Sequence, residues 1–342
     1  MSPPPSANGA QASLLKRWGP FVLVTLIWSS TWLVIKDQIG LGTPGWSITL
    51  RFAIATIGMF LLCAVRGDGW RLKPGWLPVV GLGGICQFTG NFQFVYRAEQ
   101  YLTSGIVAVF FGLLLVPNAI LSRLVLGQRS SKRFIVGSGI AIAGIMLLFA
   151  HEYRTAGVDR GVVAGIVLAT LAMLAASIAN ITQATPAAHR QPFLPMLAWS
   201  MALGTVIDAA LALGMEGWPV WPDGWRYYAG VGYLAIIGSV ATFPLYFGLV
   251  RTMGAGQAAY VGVAVPPIAM LISTLFEGYQ WSVMAAGGVA LAMVGLIIAI
   301  RTRPKPRSTK GEAEPPLSAE TAIREAGRVA GREAGRTPER EP

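Results

Sequence analysis

The sequence predicts an all-α integral membrane protein of ten transmembrane helices, arranged as two inverted repeats of five. Three observations predict it. Of the 342 residues, 54% are hydrophobic and 13% charged, with a mean hydropathy of +0.55. Soluble domains carry about a quarter charged residues, so this chain lacks the polar surface that keeps a protein in water. Ten apolar stretches recur, most of about 20 residues, enough to cross a ~30 Å hydrocarbon core as helices. Finally, VPNAILSRLVLGQ at 116–128 is written again in outline as VPPIAMLISTLFE at 265–277.

The elements follow in order. Residues 1–19 hold Pro3-Pro4-Pro5, and 1–15 lack the apolar core of a cleavable signal peptide; a disordered cytoplasmic N-terminus is expected. The first span, 20–38, carries Thr25, Trp28, Ser29, Trp32 and Lys36 on one helix face. The second, 46–65, opens after Thr43-Pro44, read as an N-cap and N1 proline, and closes at Arg66-Gly-Asp-Gly69. The third, 76–96, aligns Gln87, Asn91 and Phe94. The fourth, 103–125, contains Pro117, and the fifth, 134–150, has Gly137 and Gly144 one heptad apart. The sixth, 161–183, puts Thr170, Ser177 and Asn180 on one face. The seventh, 193–214, holds the one clear mid-span acid, Asp208, and ends before the turn-rich stretch 217–224. The eighth, 227–249, aligns Ser239, Thr242 and Tyr246. The ninth, 256–276, contains Tyr260 and Pro266-Pro267, and the tenth, 281–300, repeats the heptad pair as Gly288 and Gly295. Cys63 and Cys86 lie within spans and read as small packing residues. Residues 302–342 repeat Glu-Ala-Gly-Arg at 325–328 and 333–336. Such a composition cannot offset its ordering entropy by burial, and a disordered cytoplasmic tail is expected.

Charge gives orientation. With the N-terminus cytoplasmic, the inner connectors and helix ends carry eleven Lys/Arg (Lys16, Arg17, Arg66, Arg71, Lys73, Arg129, Lys132, Arg133, Arg190, Arg251, Arg301). The outer ones carry five (Lys36, Arg97, Arg154, Arg160, Arg226). The positive-inside rule then places both termini in the cytoplasm. The pI near 10.1 is mostly this topology signal, and no nucleic-acid partner is expected. A repeat of five spans forces the second copy to enter the membrane upside down. The charges agree: GQRSSKR (127–133) follows the first copy of the repeated stretch and FEGYQ (276–280) closes the second. Inverted repeats are a hallmark of secondary transporters, with the substrate site near midplane between the halves.

The motifs TLIWSSTWLVIK, RFAIATIGMFLL, TSGIVAVFFGLLLVPNAILSRLVLGQ and GSGIAIAGIMLLF, in this order, resemble those of the EamA family of the drug/metabolite transporter superfamily. The resemblance runs from about residue 20 to 300. It implies a first repeat at 20–150 and a second at 161–301. It also implies a multi-pass carrier of the bacterial inner membrane that moves small metabolites by alternating access. Helices 1, 3, 4, 6, 8 and 9 would line the cavity, and helices 5 and 10 would pack at the back. Many members have Glu after the Gly that ends the fourth span. Here that residue is Gln128, while the second repeat keeps an acid as Glu277, so the two positions are not chemically equivalent.

Polar groups at membrane depth must face partners or water. The expected substrate-binding set is therefore Trp28, Ser29, Gln87, Asn91, Phe94, Ser177, Asn180, Thr242, Tyr246 and Tyr260, with interhelical hydrogen bonding the competing use of each polar member. Pro117, Pro266 and Pro267 read either as hinges or as tolerated kinks. Asp208 and Arg51 are expected to pair. Asp208 or Glu277 are candidates to carry a coupling proton, with facilitated transport the alternative. Walls of amides, hydroxyls and aromatics suit a neutral or zwitterionic solute such as an amino acid, with export favoured. No His-Glu-x-x-His, Gly-x-Ser-x-Gly or Gly-x-x-x-x-Gly-Lys-Ser/Thr motif occurs. Neither an enzyme nor a cofactor or metal is expected; a channel remains the alternative. The partners are a small-molecule substrate and the lipid bilayer, with the chain acting as a monomer. Reporter fusions after Arg71, Arg133, Arg190 and Arg301 should report cytoplasm, and those after Gly42, Gly157 and Gly224 periplasm. A periplasmic report at Arg301 would overturn the orientation and the even helix count.

Overall fold

Backbone groups in hydrocarbon must bond within their own segment, and the chain meets this demand with helices throughout. The computed structural model describes residues 7–128, 131–155, 160–253, 258 and 260–300, with no strand among them. Helix α1 spans Ala7–Leu41, α2 Pro44–Arg66, α3 residues 77–98, α4 residues 104–126 and α5 Lys132–Thr155. Helix α6 spans Arg160–Gln183, α7 Phe193–Glu216, α8 residues 225–253, α9 Tyr260–Phe276 and α10 Val283–Ile300, with a one-turn helix at Pro186–Arg190 before α7. Among the described residues, seven helices (α1, α2 and α4–α8) contain stretches long and apolar enough to cross a membrane, and α9 and α10 are shorter apolar helices. The chain is a multi-pass membrane protein. Helix α1 begins at Ala7 rather than at 20, because the polar-to-small stretch Ala7–Ser13 continues the helix instead of breaking it. The expected disordered tail lies outside the described residues.

Three helices depart from α geometry. Gly83–Asn91 of α3 and Ile236–Ala241 of α8 are π-helical, and Gly112–Leu114 of α4 is a 3-10 turn. Pro117 cannot donate to the carbonyl of Leu113, four residues back, and the tightened turn lies at that carbonyl. Pro266 and Pro267 sit inside a continuous α9, so one sequence motif has two structural outcomes.

Two apolar clusters form the interior. One gathers residues of α1, α2, α3, α7 and α8 with Ala172 of α6 and Val261 and Val265 of α9, the other residues of α4, α5, α6, α9 and α10 with Ala98 of α3. They meet where Trp32 leans on Phe111, ring centroids 5.1 Å apart. Large apolar side chains such as Ile57, Leu61, Val65 and Val283 point outward, as a lipid-facing surface requires. Tryptophans collect at both ends: Trp46 against Trp221 at one, and Trp199 donating to the Trp70 carbonyl at the other, like the aromatic belts of membrane interfaces.

Helices α5 and α10 pack most extensively of all pairs. A Cβ at Gly137, Gly144, Gly288 or Gly295 would come within 3 Å of the facing backbone, so these glycines set the interhelical distance. Gly144→Ala should therefore destabilise by about 1–3 kcal/mol, the range for overpacking, read as a lower melting temperature in detergent. Gly139→Ala, on the same helix but with nothing within 4 Å of its Cβ, should leave melting unchanged or slightly raised.

Candidate functional site

One cavity lies between the helices, walled by residues of α1–α4, α6, α8 and α9. About 950 Å³ of empty space lies among its walls, the solvent at its mouth included. The aromatic wall is Trp28, Trp32, Phe92, Phe111, Phe243 and Tyr246. Trp28 packs on Tyr246 at 4.6 Å and edge-on to Phe243 at 6.0 Å. The polar wall is Thr31, Arg51, Gln87, Asn91, Asn118 and Asn180, with the Asn180 amide beside the Tyr246 hydroxyl.

The π-helical turns shape this wall. In α3, three glycines let neighbours approach: a Cβ at Gly83 would strike Ser200, one at Gly84 Leu203, and one at Gly90 would lie against Ala175. The widened segment presents Gln87 and Asn91, both buried except toward the cavity. It also shifts the face downstream, so that Phe92 and Val95 reach the wall and the expected Phe94 does not. In α8, the π segment places Ser239 toward α2, where its hydroxyl accepts from Arg51 Nε and Nη2, both at 3.2 Å.

Of the expected site residues, Trp28, Gln87, Asn91, Asn180 and Tyr246 are on the wall. Ser29, Ser177 and Thr242 are not. Ser29 donates to the Thr25 carbonyl at 2.7 Å and stands 3.4 Å from the Val265 carbonyl, at the α1–α9 seam. Thr242 bonds the Ile237 carbonyl five residues back at 2.5 Å. Ser177 is fully buried away from the wall. The side chain of Tyr260 lies outside the described residues. Thr31, Phe111, Asn118 and Phe243 join the wall unanticipated. Asn118, a mid-span amide next to Pro117, carried a readable signal; the apolar Phe111 and Phe243 carried none.

The charged groups sort differently from the expectation. Asp208 and Arg51 do not pair. Asp208 accepts from Gln93 Nε2 at 2.9 Å, and Gln93 is held by Arg97, whose Nη1 donates to its carbonyl at 3.0 Å and to its side-chain oxygen. Helix α7 turns Asp208 toward α3, whereas α2 turns Arg51 toward α8 and the cavity. Arg97 in turn lies 3.7 Å from Glu216.

Two acids join the ends of α7 and α9 to the starts of α2 and α4. Glu216 accepts from the backbone N–H of Gly45 at 2.9 Å and of Trp46 at 3.3 Å. Glu277 accepts from Ser104 N–H at 3.4 Å and Oγ–H at 2.9 Å, and from the Ser273 hydroxyl. Each uses N–H groups that a helix start leaves unpaired and places negative charge at the positive end of the helix dipole. Thr43, expected to cap α2, makes no side-chain cap bond, and Glu216 serves instead. At the same end of the bundle, Lys36 Nζ donates to the carbonyls of Glu99 and Leu102, the latter at 3.0 Å. Glu99 is fully buried, both carboxylate oxygens without a hydrogen-bond partner. It escaped sequence reading because it lies past the expected end of the third span. At the opposite end Gln191 bonds the Lys73 backbone both ways, at 2.9 and 3.1 Å, and Arg251 donates to the Ala188 carbonyl.

A multi-pass helical bundle closed round one aromatic and amide-lined cavity is the architecture of a solute transporter. The model of the EamA-like transporter family matches residues 20–150 and again 163–301, and the chain belongs to that family. It is 25% identical over 297 residues to a transporter of Archaeoglobus fulgidus, covering 84% of this chain and all of that one. It is 26% identical over 288 residues to the inner membrane transporter YedA of Escherichia coli, covering 82% and 90%. A protein of Streptantibioticus cattleyicolor, named "Probable terminal-alkyne amino-acid exporter", is 23% identical over 292 residues, covering 83% and 93%. A solved crystal structure superposes with a TM-score of 0.61 at 19% identity, covering 85% of this chain and 97% of that one, which shows a shared fold.

Glu277→Ala should remove the cap of α4 and lower stability by about 0.5–2 kcal/mol, the range for lost N-caps. The measurement is the melting temperature in detergent; an unchanged value would show that Glu277 does not hold α4.

Proposed function

We propose that this protein is a secondary transporter that exports a small neutral or zwitterionic metabolite, an amino acid by preference, across the bacterial inner membrane. The observation that carries this reading is the cavity itself, whose amide groups and aromatic rings converge from five helices, α1, α3, α4, α6 and α8. Amides offer donors and acceptors without net charge, which suits a zwitterion. The names of the relatives support a transport role, and one of them supports an amino acid as cargo.

The chain crosses the membrane ten times in this reading, as two inverted halves at 20–150 and 161–301 with both termini cytoplasmic. The double family match supports two halves. So does the placement of the π segments, in the third helix of each half, and the pairing of α5 with α10, the last of each. Alternating access then needs the seams at the two ends to open in turn, with bending at Pro117 in α4 and at Pro266 and Pro267 in α9. Asp208 and Glu277 sit in helix seams, so their first role is structural. No ATP-binding loop is present in the sequence, and transport runs on gradients.

Purified protein in liposomes preloaded with unlabelled amino acids should catalyse saturable counterflow of the labelled species. Flux that rises linearly with concentration and shows no counterflow would make it a channel. Gln87→Leu and Asn91→Leu should keep normal abundance and melting temperature but weaken apparent affinity by about 1–3 kcal/mol per lost partner, roughly 5- to 150-fold. Lower abundance with unchanged affinity would instead make these amides helix glue.

A further inference from the structure

We infer that Arg51 is the anchor for a carboxylate on the transported molecule, so that the substrate is a monocarboxylate with an apolar or aromatic body rather than a neutral solute. This rests on the transport role proposed above and narrows its substrate class.

Arg51 stands about 10 Å of helix rise into α2, two turns past Pro44. It is 2% exposed and lines the cavity. Its direct neighbours are neutral. Nε and Nη2 share the Ser239 hydroxyl, which donates its own proton to the Leu234 carbonyl at 2.8 Å. The Tyr96 hydroxyl touches the guanidinium, and the faces of Phe92 and Phe52 lie 4.4 and 5.1 Å from its centre. Among the described residues no carboxylate reaches it as an ion pair. The two ion pairs formed there are Arg97–Glu216 and Arg226–Asp37. Glu99 acts on it only through space. Nη1 has no hydrogen-bond partner at all. A cation at membrane depth is costly unless an anion or several acceptors meet it, and the cavity that Arg51 lines is the space from which an anion could come.

The other unpartnered atoms on the wall complete a pattern. Trp32 Nε1 is a second free donor, and the side-chain oxygens of Asn91 and Asn118 are free acceptors. A charged donor and a neutral one on the same wall are the kinds of group that a carboxylate takes. The acceptors match an ammonium or hydroxyl, and the six aromatic rings match an apolar body. Arg51 is the one cation on this wall, which fits a monoanion and leaves a phosphate dianion half-compensated. Gly238 makes the room: a Cβ there would meet Thr31 at 3.1 Å and Arg51 Nη2 at 3.8 Å.

The test is binding to the purified full chain in detergent, by calorimetry, of L-phenylalanine, L-phenylalaninamide and 3-phenylpropionate. Wild type should bind both acids and bind the amide at least 10-fold more weakly, the scale of a charge-assisted hydrogen bond. Arg51→Gln should abolish the preference for acid over amide. Arg51→Lys, which keeps the charge and loses the fork, should retain the preference at lower affinity. Equal binding of acid and amide by wild type, binding of none of the three, or a preference that survives in folded Arg51→Gln overturns the assignment. Carboxylate-selective binding without counterflow in liposomes would instead leave the anchor standing and sink the transport role.

Discussion

Every feature of this bundle answers to one constraint: within hydrocarbon, a polar group must find its partner inside the protein. For the backbone this dictates helices. It also dictates where helices are allowed to deviate. The π segments of α3 and α8 and the 3-10 turn of α4 disturb the ordinary i→i+4 ladder, and lipid offers no replacement partners. All three lie beside the cavity, where packed side chains and the cavity itself surround them. The irregular backbone and the cavity are therefore one feature. Glycines at 83, 84 and 90 admit neighbouring helices against α3, the widened turn swings Gln87 and Asn91 inward, and the corresponding turn in α8 holds Ser239 against Arg51.

The same constraint separates the two ends of the bundle. At one, charged side chains are spent on backbone groups: Glu216 and Glu277 on helix starts, Lys36 on two carbonyls. Each contact joins elements distant in sequence, and the two glutamates join the second half to the first. At the other end, Gln191 pairs with Lys73 backbone and Arg251 donates to the Ala188 carbonyl at 2.8 Å. A carboxylate on an N-terminal N–H is a charge-assisted bond, about twice as strong as a neutral one. Arg251 makes one charge-assisted bond at its end as well, and the acid end carries several. The cavity wall extends from Ile35 and Arg51 to Tyr246 and Val261, away from that end. Water that enters a seam would compete for the same N–H groups, so opening costs less there than in lipid.

The sequence disclosed the fold far better than the site, for a physical reason. Span length and hydropathy are sums over about 20 residues and survive any local error. The heptad glycines of α5 and α10 were readable because a missing side chain has one use in a tightly packed helix pair. Site residues depend on rotation about a helix axis, and a single π turn changes that rotation. This is why Gln87 and Asn91 were placed on the wall and Phe94, one turn on, was misplaced. Ser29 and Thr242 stand off the wall for another reason. A hydroxyl in a helix can satisfy itself on the carbonyl a turn back, as Ser29 and Thr242 do, so its polarity does not report a cavity. An amide is too large and too rich in bonding groups for that, and all four wall amides are Asn or Gln.

Arg51 shows where pairing by sequence depth goes wrong. An acid and a base at similar depth invite an ion pair, yet depth says nothing about direction. Asp208 found a neutral partner, Gln93, and Arg51 found a hydroxyl and two aromatic faces. For the carboxylate, Gln93 and the Arg97 behind it form a chain of compensating groups that leads out to Glu216. For the guanidinium no such chain exists, and its surroundings are polarisable rather than anionic. A bundle that had only to be stable would have paired the two, or replaced Arg51 by an apolar residue at no loss. A cation held by a hydroxyl and ring faces is instead fixed in position on the cavity wall, with no ion-pair partner of its own among the described residues.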